Sequence, residues 1–275
     1  MQVTLIAEDL SAVGQISMVA ALNILSAFGI TTIAMPTTIL STQTEAFGLP
    51  ATLPTLSWRT TASAHWQTIP DMEINSALVG YVGDVASVHQ LMTELATVNP
   101  ALVVIDPVMG DQGQLYPGFD QRYVAAIKQL AQSATILTPN WTELQLLTDQ
   151  PLGQKATPAK VAELLNQLPQ HGISARVVVT GINFNATVAI AYQDTTGQIC
   201  FIEQPKFAGH FYGAGDTFSA LLCGYLQREL PFEEALQAAA DGVYLAITAT
   251  AALPVAVRKF GLQLVPVLAK IVQQK

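Results

Sequence analysis

The chain predicts an α/β fold, a doubly wound and mostly parallel sheet between two layers of helices. Three observations carry that prediction. Short apolar runs of strand length alternate with longer amphipathic runs of helix length from one end to the other. Hydrophobic residues make up 51% of the 275 and charged residues only 12%, which suits a sheet buried on both faces. Polar clusters recur just after the apolar runs, at the strand ends where open α/β sheets bind ligands. No repeat, linker or low-complexity segment interrupts the pattern, so residues 1–275 read as one three-layer domain without a separate lid.

Residues 3–7 form an apolar strand ending in Glu8-Asp9-Leu10-Ser11, and residues 16–28 have the length of a helix closed by Gly29. Residues 31–35 make a second strand, followed by the polar segment Ser41-Thr42-Gln43-Thr44. Residues 52–64, broken by Pro54, read as an edge strand running into a short helix. Residues 77–82 are a buried strand carrying Gly80-Tyr81-Val82 into Gly83, with a helix over 85–97. The strand at 102–105 ends in Asp106-Pro107-Val108-Met109-Gly110-Asp111, and Gly113 and Gly118 flank an exposed loop.

A helix at 123–132 and a short strand at 135–137 lead to Thr138-Pro139-Asn140-Trp141-Thr142-Glu143. Asn140 and Glu143 stand three apart at the start of the next helix, the spacing of a capping box. A helix at 158–171 precedes a strand at 177–179 that ends at Thr180-Gly181. Residues 187–192 and 198–203 make a hairpin about Asp194-Thr195-Thr196-Gly197. Helices at 217–228, 232–250 and 262–272 complete the chain.

The net charge of −8, with Lys and Arg scattered, excludes the basic stripe that nucleic acid or an anionic membrane surface requires. Mean hydropathy is +0.38, yet the longest apolar stretches, 16–30 and 243–257, are broken by Asn23, Ser26 and Pro254 and are too short to span a bilayer. The first residues lack a basic n-region, and Glu8-Asp9 is unlike a signal peptide. Cys200 and Cys223 have no ligand spacing and read as reduced core residues of a cytoplasmic protein.

The chemistry centres on Gly213-Ala214-Gly215-Asp216-Thr217, between the extended stretch 200–204 and a helix. Two glycines let the backbone bring its N–H groups close to an anion at a helix N-terminus, where the macrodipole also favours negative charge. Asp216 repels a phosphate but is well placed to take a proton from a hydroxyl attacking one. Alone, the segment also reads as a glycine turn with an Asp cap.

Gly213-Ala214-Gly215-Asp216 resembles the anion-hole motif of ribokinase-like kinases, and Asn140-x-x-Glu143 resembles their magnesium-associated motif. Asp106 to Asp111 with Gly113 and Tyr116, Thr138-Pro-Asn140, Gly80-Tyr81 and Ser41-x-x-Thr44 are similar to pyridoxal kinases. The resemblance implies ATP-dependent phosphorylation of the 5′-hydroxymethyl group of pyridoxal, pyridoxine or pyridoxamine. It implies Asp216 as base, with Gly213, Ala214 and Gly215 holding the transferred phosphoryl group, and Ser11, Thr44 and Tyr81 around the ring. Asp106, Asp111, Tyr116, Thr138, Asn140, Thr180 and Gly181 would bind nucleotide. Glu143, Asp106 and Asn140 would position Mg²⁺, with K⁺ as a further cation, in a homodimer.

Two features depart from that pattern. Leu40 stands where many pyridoxal kinases have an aromatic, and Gly14-Gln15-Ile16-Ser17 replaces their Gly-Asn element. A hydroxymethylpyrimidine kinase of thiamin synthesis and a non-catalytic vitamer-binding protein are the alternatives.

Overall fold

The computed structural model describes residues 1–274. The chain opens with β1 (Gln2–Ala7), β2 (Leu10–Ser11), α1 (Ser17–Phe28), β3 (Thr32–Ala34), β4 (Thr38–Leu40), β5 (Thr52–Pro54) and α2 (Leu56–Trp66). Then come β6 (Glu73–Val79), α3 (Val85–Val98), β7 (Leu102–Ile105), β8 (Gly110–Asp111), β9 (Gln114–Leu115), α4 (Gln121–Ala131), β10 (Ile136–Leu137) and α5 (Trp141–Leu147). The rest is α6 (Pro158–Gln167), β11 (Arg176–Asn183), β12 (Thr187–Gln193), β13 (Ile199–Pro205), α7 (Ala214–Gln227), α8 (Phe232–Ala251), α9 (Val255–Arg258) and α10 (Val265–Gln273).

Eight strands pair in the order β13-β12-β11-β10-β7-β6-β1-β3. Strands β11 through β3 are parallel, and β12 and β13 add an antiparallel edge. Alternate residues of the central strands face opposite layers, as the pleat requires. Leu5, Ala77, Val79, Val103 and Ile105 pack into one core, under α3 to α6. Ile6, Leu78 and Val104 pack into the other, under α1, α7, α8 and α10. Continuous apolar runs in β6 and β7 are therefore buried on both sides, and the doubly wound sheet expected from the sequence is observed.

The chain leaves β1 for β3 on one side and returns to β6 on the other, so the direction of winding reverses beside β1. The carboxyl ends of β1 and β6 flank the crevice where such sheets bind ligands. No helix among the described residues is long and apolar enough to cross a membrane.

Several local features differ from expectation. Strand β4, unpredicted, lies between the second strand and Ser41, and joins β2 and β5 in a separate three-stranded sheet. Three-residue strands carry too little periodicity to be read alone. The loop at Gly113 belongs to a tight β8–β9 hairpin. Strand β11 runs on to Asn183 through an irregularity at Thr180-Gly181, where Gly181 has φ 63°. Cys223 is buried as expected, but Cys200 is only half-buried, because β13 is the edge strand.

Candidate active site

A cavity of about 670 Å³ opens over the carboxyl ends of the parallel strands. It gathers Gly213, Ala214, Gly215, Asp216, Thr44, Tyr81, Asp106, Asp111, Tyr116, Asn140, Glu143, Thr180 and Gly181. These residues come from positions 44 to 216, and most of them stand at or just beyond a strand end or at a helix N-terminus, while Thr180 and Gly181 lie at the irregularity within β11. Ser11 and Thr138 are not brought to the wall, being 0% and 1% exposed. Ser11 Oγ donates to Asp9 Oδ2 at 2.7 Å, and the hydroxyls of Thr138 and Ser219 share a bond of 2.8 Å. Ser11 thus supports Asp9 directly, and Thr138 acts through Ser219, whose Oγ lies 3.4 Å from Asp106 Oδ2.

The glycine segment has a specific geometry. Gly213 is the N-cap of α7 with φ 79°, a left-handed conformation that side chains adopt at a cost. The first intrahelical bond runs from Thr217 N to Gly213 O at 3.0 Å, so the N–H groups of residues 214–216 lie ahead of the ladder. A Cβ on Gly215 would stand 3.2 Å from Asp106 Oδ2. Glycine therefore lets the start of α7 approach the end of β7.

Asp216 sits in the first turn of α7, and its Oδ2 accepts from Ser17 N at 2.7 Å. Ser17 begins α1 with φ 46°, an unusual conformation for a residue with a side chain, and this aims its N–H at the carboxylate. The sequence reading did not assign Ser17 to the site. Only the fold brings it to Asp216, which is 199 residues away.

Glu143 serves two structures at once. Its Oε2 accepts from Asn140 N at 2.8 Å while Asn140 Oδ1 accepts from Glu143 N at 3.0 Å, completing the capping box of α5. Its Oε1 accepts from Met109 N at 3.0 Å, and Asn140 Nδ2 donates to Gly110 O at 2.8 Å. Both partners thereby hold the segment between Asp106 and Asp111 against α5. The cap and the placement of acids in the cavity are one arrangement.

Asp9, Asp106, Glu143 and Asp216 converge on the cavity, and Glu8 lies buried behind them. Burial is the leading cause that pushes all five carboxyls upward, and neighbouring carboxylates add to it except at Asp216. Asp9 is pushed up to about 6. Among the described residues, none of the five pairs with a lysine, arginine or histidine. This acid surplus fits a divalent cation. No group of three or more Asp, Glu, His or Cys side chains among the described residues is placed to hold a metal ion by itself.

These shifts have a stability consequence of definite sign. A carboxyl raised in the folded state binds more protons than in the unfolded chain, so stability grows as pH falls through that window. For Asp9 the window runs from about 6 down to 3.8, and the other four shift the same way. The melting temperature of the ligand-free protein is expected to rise as pH is lowered from about 7 to about 5. A flat or falling trend in calorimetry contradicts it.

The sequence reading missed part of the wall. Asp9 lines the cavity at the end of β1, and its signal was present: two acids directly after a buried parallel strand. Glu45, Gln112 and His210 meet at the cavity wall, with His210 Nε2 3.7 Å from Glu45 Oε2 and its Nδ1 3.3 Å from Gln112 Nε2, and buried Gln43, whose Nε2 donates to Lys259 O at 2.9 Å, also lines it. Phe207, Phe211 and Tyr244 form an apolar side of the cavity, the Phe207 ring 6.2 Å from that of Phe211 and 5.6 Å from that of Tyr244. No local spacing marks these residues, which come from loops and, for Tyr244, from the middle of α8.

The family described as phosphomethylpyrimidine kinase matches residues 18–259. A pyridoxal kinase of Arabidopsis thaliana is 30% identical over 157 residues, covering 54% of this chain and 49% of its own. The chain thus spans about half the length of the curated relatives it first matches. The crystal structure of a pyridoxal kinase from Lactobacillus plantarum superposes with a TM-score of 0.91 at 36% identity, covering 99% of this chain and 97% of that one. A Bacteroides thetaiotaomicron chain solved with pyridoxal gives 0.90 at 26% identity, covering 98% and 95%. The resemblance read from the glycine and Asn-x-x-Glu motifs is borne out, and the chain belongs to the phosphomethylpyrimidine kinase family of the ribokinase-like superfamily.

Proposed function

We propose that the chain is an ATP-dependent kinase that phosphorylates the 5′-hydroxymethyl group of pyridoxal, pyridoxine or pyridoxamine, acting as a single domain. The observation that carries this reading is Asp216 at the start of α7, beside free backbone N–H groups, facing one cavity with Asp106, Asn140 and Glu143. The similarity to pyridoxal kinase over nearly the full length of a solved chain supports the substrate class.

In this reading the substrate hydroxyl attacks the terminal phosphorus of ATP, the bond to the bridging oxygen breaks, and ADP leaves. Asp216 takes the hydroxyl proton, and in a loose transition state it does so late, so a strongly basic carboxylate is unnecessary. The N–H groups of Ala214 and Gly215 receive the charge of the transferred group, each such donor typically contributing about 2.7–4 kcal/mol. Asp106, Asn140 and Glu143 would hold Mg²⁺, which supplies charge neutralisation at the phosphates, and K⁺ is a further candidate cation. Of the residues lining the cavity, Thr180 and Gly181 would contact the nucleotide, with Phe207, Phe211 and Tyr244 as an apolar wall for its base, and Thr44 and Tyr81 would contact the ring.

A homodimer in the cytoplasm completes the proposal. Exposed Leu49, Leu53 and Trp58 around the small sheet and α2 support self-association, and the two free cysteines suit a reducing compartment.

The test measures ATP consumption with Mg²⁺ on pyridoxal, pyridoxine, pyridoxamine and hydroxymethylpyrimidine in parallel. Turnover of a B6 vitamer at a rate well above the pyrimidine is the expected result. The matched family's own description favours the pyrimidine as the second reading, and turnover of the pyrimidine alone would establish it. Vitamer binding without any turnover would make the protein a binding protein.

A further inference from the structure

We propose that Asp9 is the specificity-determining residue of the substrate subsite, pairing its carboxylate with a protonated ring nitrogen of the heteroaromatic alcohol. This inference rests on the kinase reading above and names the group that recognises the ring.

The placement comes from topology. Asp9 follows β1 and Tyr81 follows β6, the two strands that flank the reversal of winding, and both side chains line the cavity. Ser17, which holds Asp216, stands between the loop after β1 and the base, its neighbour Met18 donating its N–H to Asp9 O at 3.2 Å. A ring resting by Tyr81 with its hydroxymethyl arm toward Asp216 therefore presents another edge to Asp9.

The chemistry is that of an unfinished pair. Asp9 is 4% exposed, its Oδ2 accepts from Ser11 Oγ at 2.7 Å, and the Ser17 hydroxyl is a second neighbouring donor, so its partners are neutral hydroxyls and none is a counter-charge. No lysine, arginine or histidine among the described residues pairs with it. The cavity's one lysine, Lys206, follows β13, six strands away across the sheet. Burial pushes Asp9 up to about 6, and the Asp9 charge is second to burial in pushing the Tyr81 phenol up to about 12. A buried carboxylate without a counter-charge is costly even when hydroxyls donate to it, and one that gains an N–H⁺ donor recovers that cost on binding. A pyridinium supplies that donor, and a flat carboxylate matches it in the plane of the ring. The same pairing rejects an isosteric ring bearing C–H, because the carboxylate would then stay buried and unpaired.

The experiment compares pyridoxine with its carbocyclic analogue, in which C–H replaces the ring nitrogen, on the wild type, Asp9→Asn and Asp9→Ser. Dissociation constants, KM and kcat are measured for each. The wild type is expected to bind pyridoxine roughly 10- to 100-fold more tightly than the analogue, the span typical of one charged hydrogen bond. Both variants are expected to lose most of that preference through pyridoxine affinity, with KM for ATP unchanged. Because the preference is a ratio within each protein, partial unfolding of a variant cancels. A preference that survives in both variants, or a wild type with none, overturns the inference while leaving the kinase reading intact. A wild type that neither binds nor phosphorylates any vitamer overturns the kinase reading itself.

Discussion

Asp216→Asn is expected to bind both substrates yet turn them over about 10²- to 10⁴-fold more slowly, the usual contribution of a positioned general base. The substitution is nearly isosteric, and the new amide oxygen can still accept the 2.7 Å bond from Ser17 N. The geometry at the start of α7 therefore survives, and only the proton acceptor is lost. KM values should move little, because the N–H groups proposed to receive the phosphoryl group belong to the backbone. The variant should also melt no lower than the wild type. Asp216 is buried and its carboxyl is pushed upward chiefly by that burial, so removing the charge relieves a cost at neutral pH. Steady-state kinetics and calorimetry on the same preparation decide the matter. A variant with near-normal kcat would remove Asp216 from the mechanism, and one that loses affinity and stability together would show a structural role instead.

The second large effect lies away from the cavity. Arg59 on α2 and Glu94 on α3 form a salt bridge with side chains 0% and 4% exposed. The surrounding bonds are few: Arg59 Nη1 donates weakly to Ser87 O at 3.5 Å, Gln90 Nε2 reaches Glu94 Oε1 at 3.3 Å, and Arg59 Nε has no partner among the described residues. Glu94→Ala leaves a guanidinium buried without its counter-charge. Breaking a buried pair in this way typically costs about 3–5 kcal/mol, far more than an exposed pair is worth. Urea unfolding of Glu94→Ala should show that loss, and the double substitution Arg59→Met with Glu94→Leu should recover most of it. If the single and double variants were equally unstable, packing volume and not charge would be the cause. Activity per folded molecule should stay unchanged in both, since α2 and α3 contribute nothing to the cavity wall.

Much of the architecture was legible because it depends on period and punctuation. Gly29 closes α1 with φ 76°, Asp84 and Asp120 cap α3 and α4, and Pro158 starts α6, all signals that act within a few residues. The capping box at Asn140 and Glu143 was readable for the same reason. The central strands were evident as apolar runs, because burial on both faces leaves no polar alternation. The glycine segment at the start of α7, which lines the cavity, was readable from glycine chemistry at a helix N-terminus.

What escaped the sequence has a common cause. Strand β4 and the β8–β9 hairpin are too short for a period, and exist because neighbours offer hydrogen bonds. Ser11 carried the polar signal at the end of the first strand, but the turn after β1 buries it and presents Asp9 instead. Ser17 looked like an ordinary first-turn residue until α1 and α7 packed side by side. The sequence by itself determined the alternation of strands and helices, the sheet buried on both faces and the glycine-Asp element at a helix start, because each is written in local spacing. Tertiary structure alone decided which acids share the cavity and which serine holds Asp216, because those contacts join residues up to 199 positions apart and depend on strand order, which no local pattern encodes.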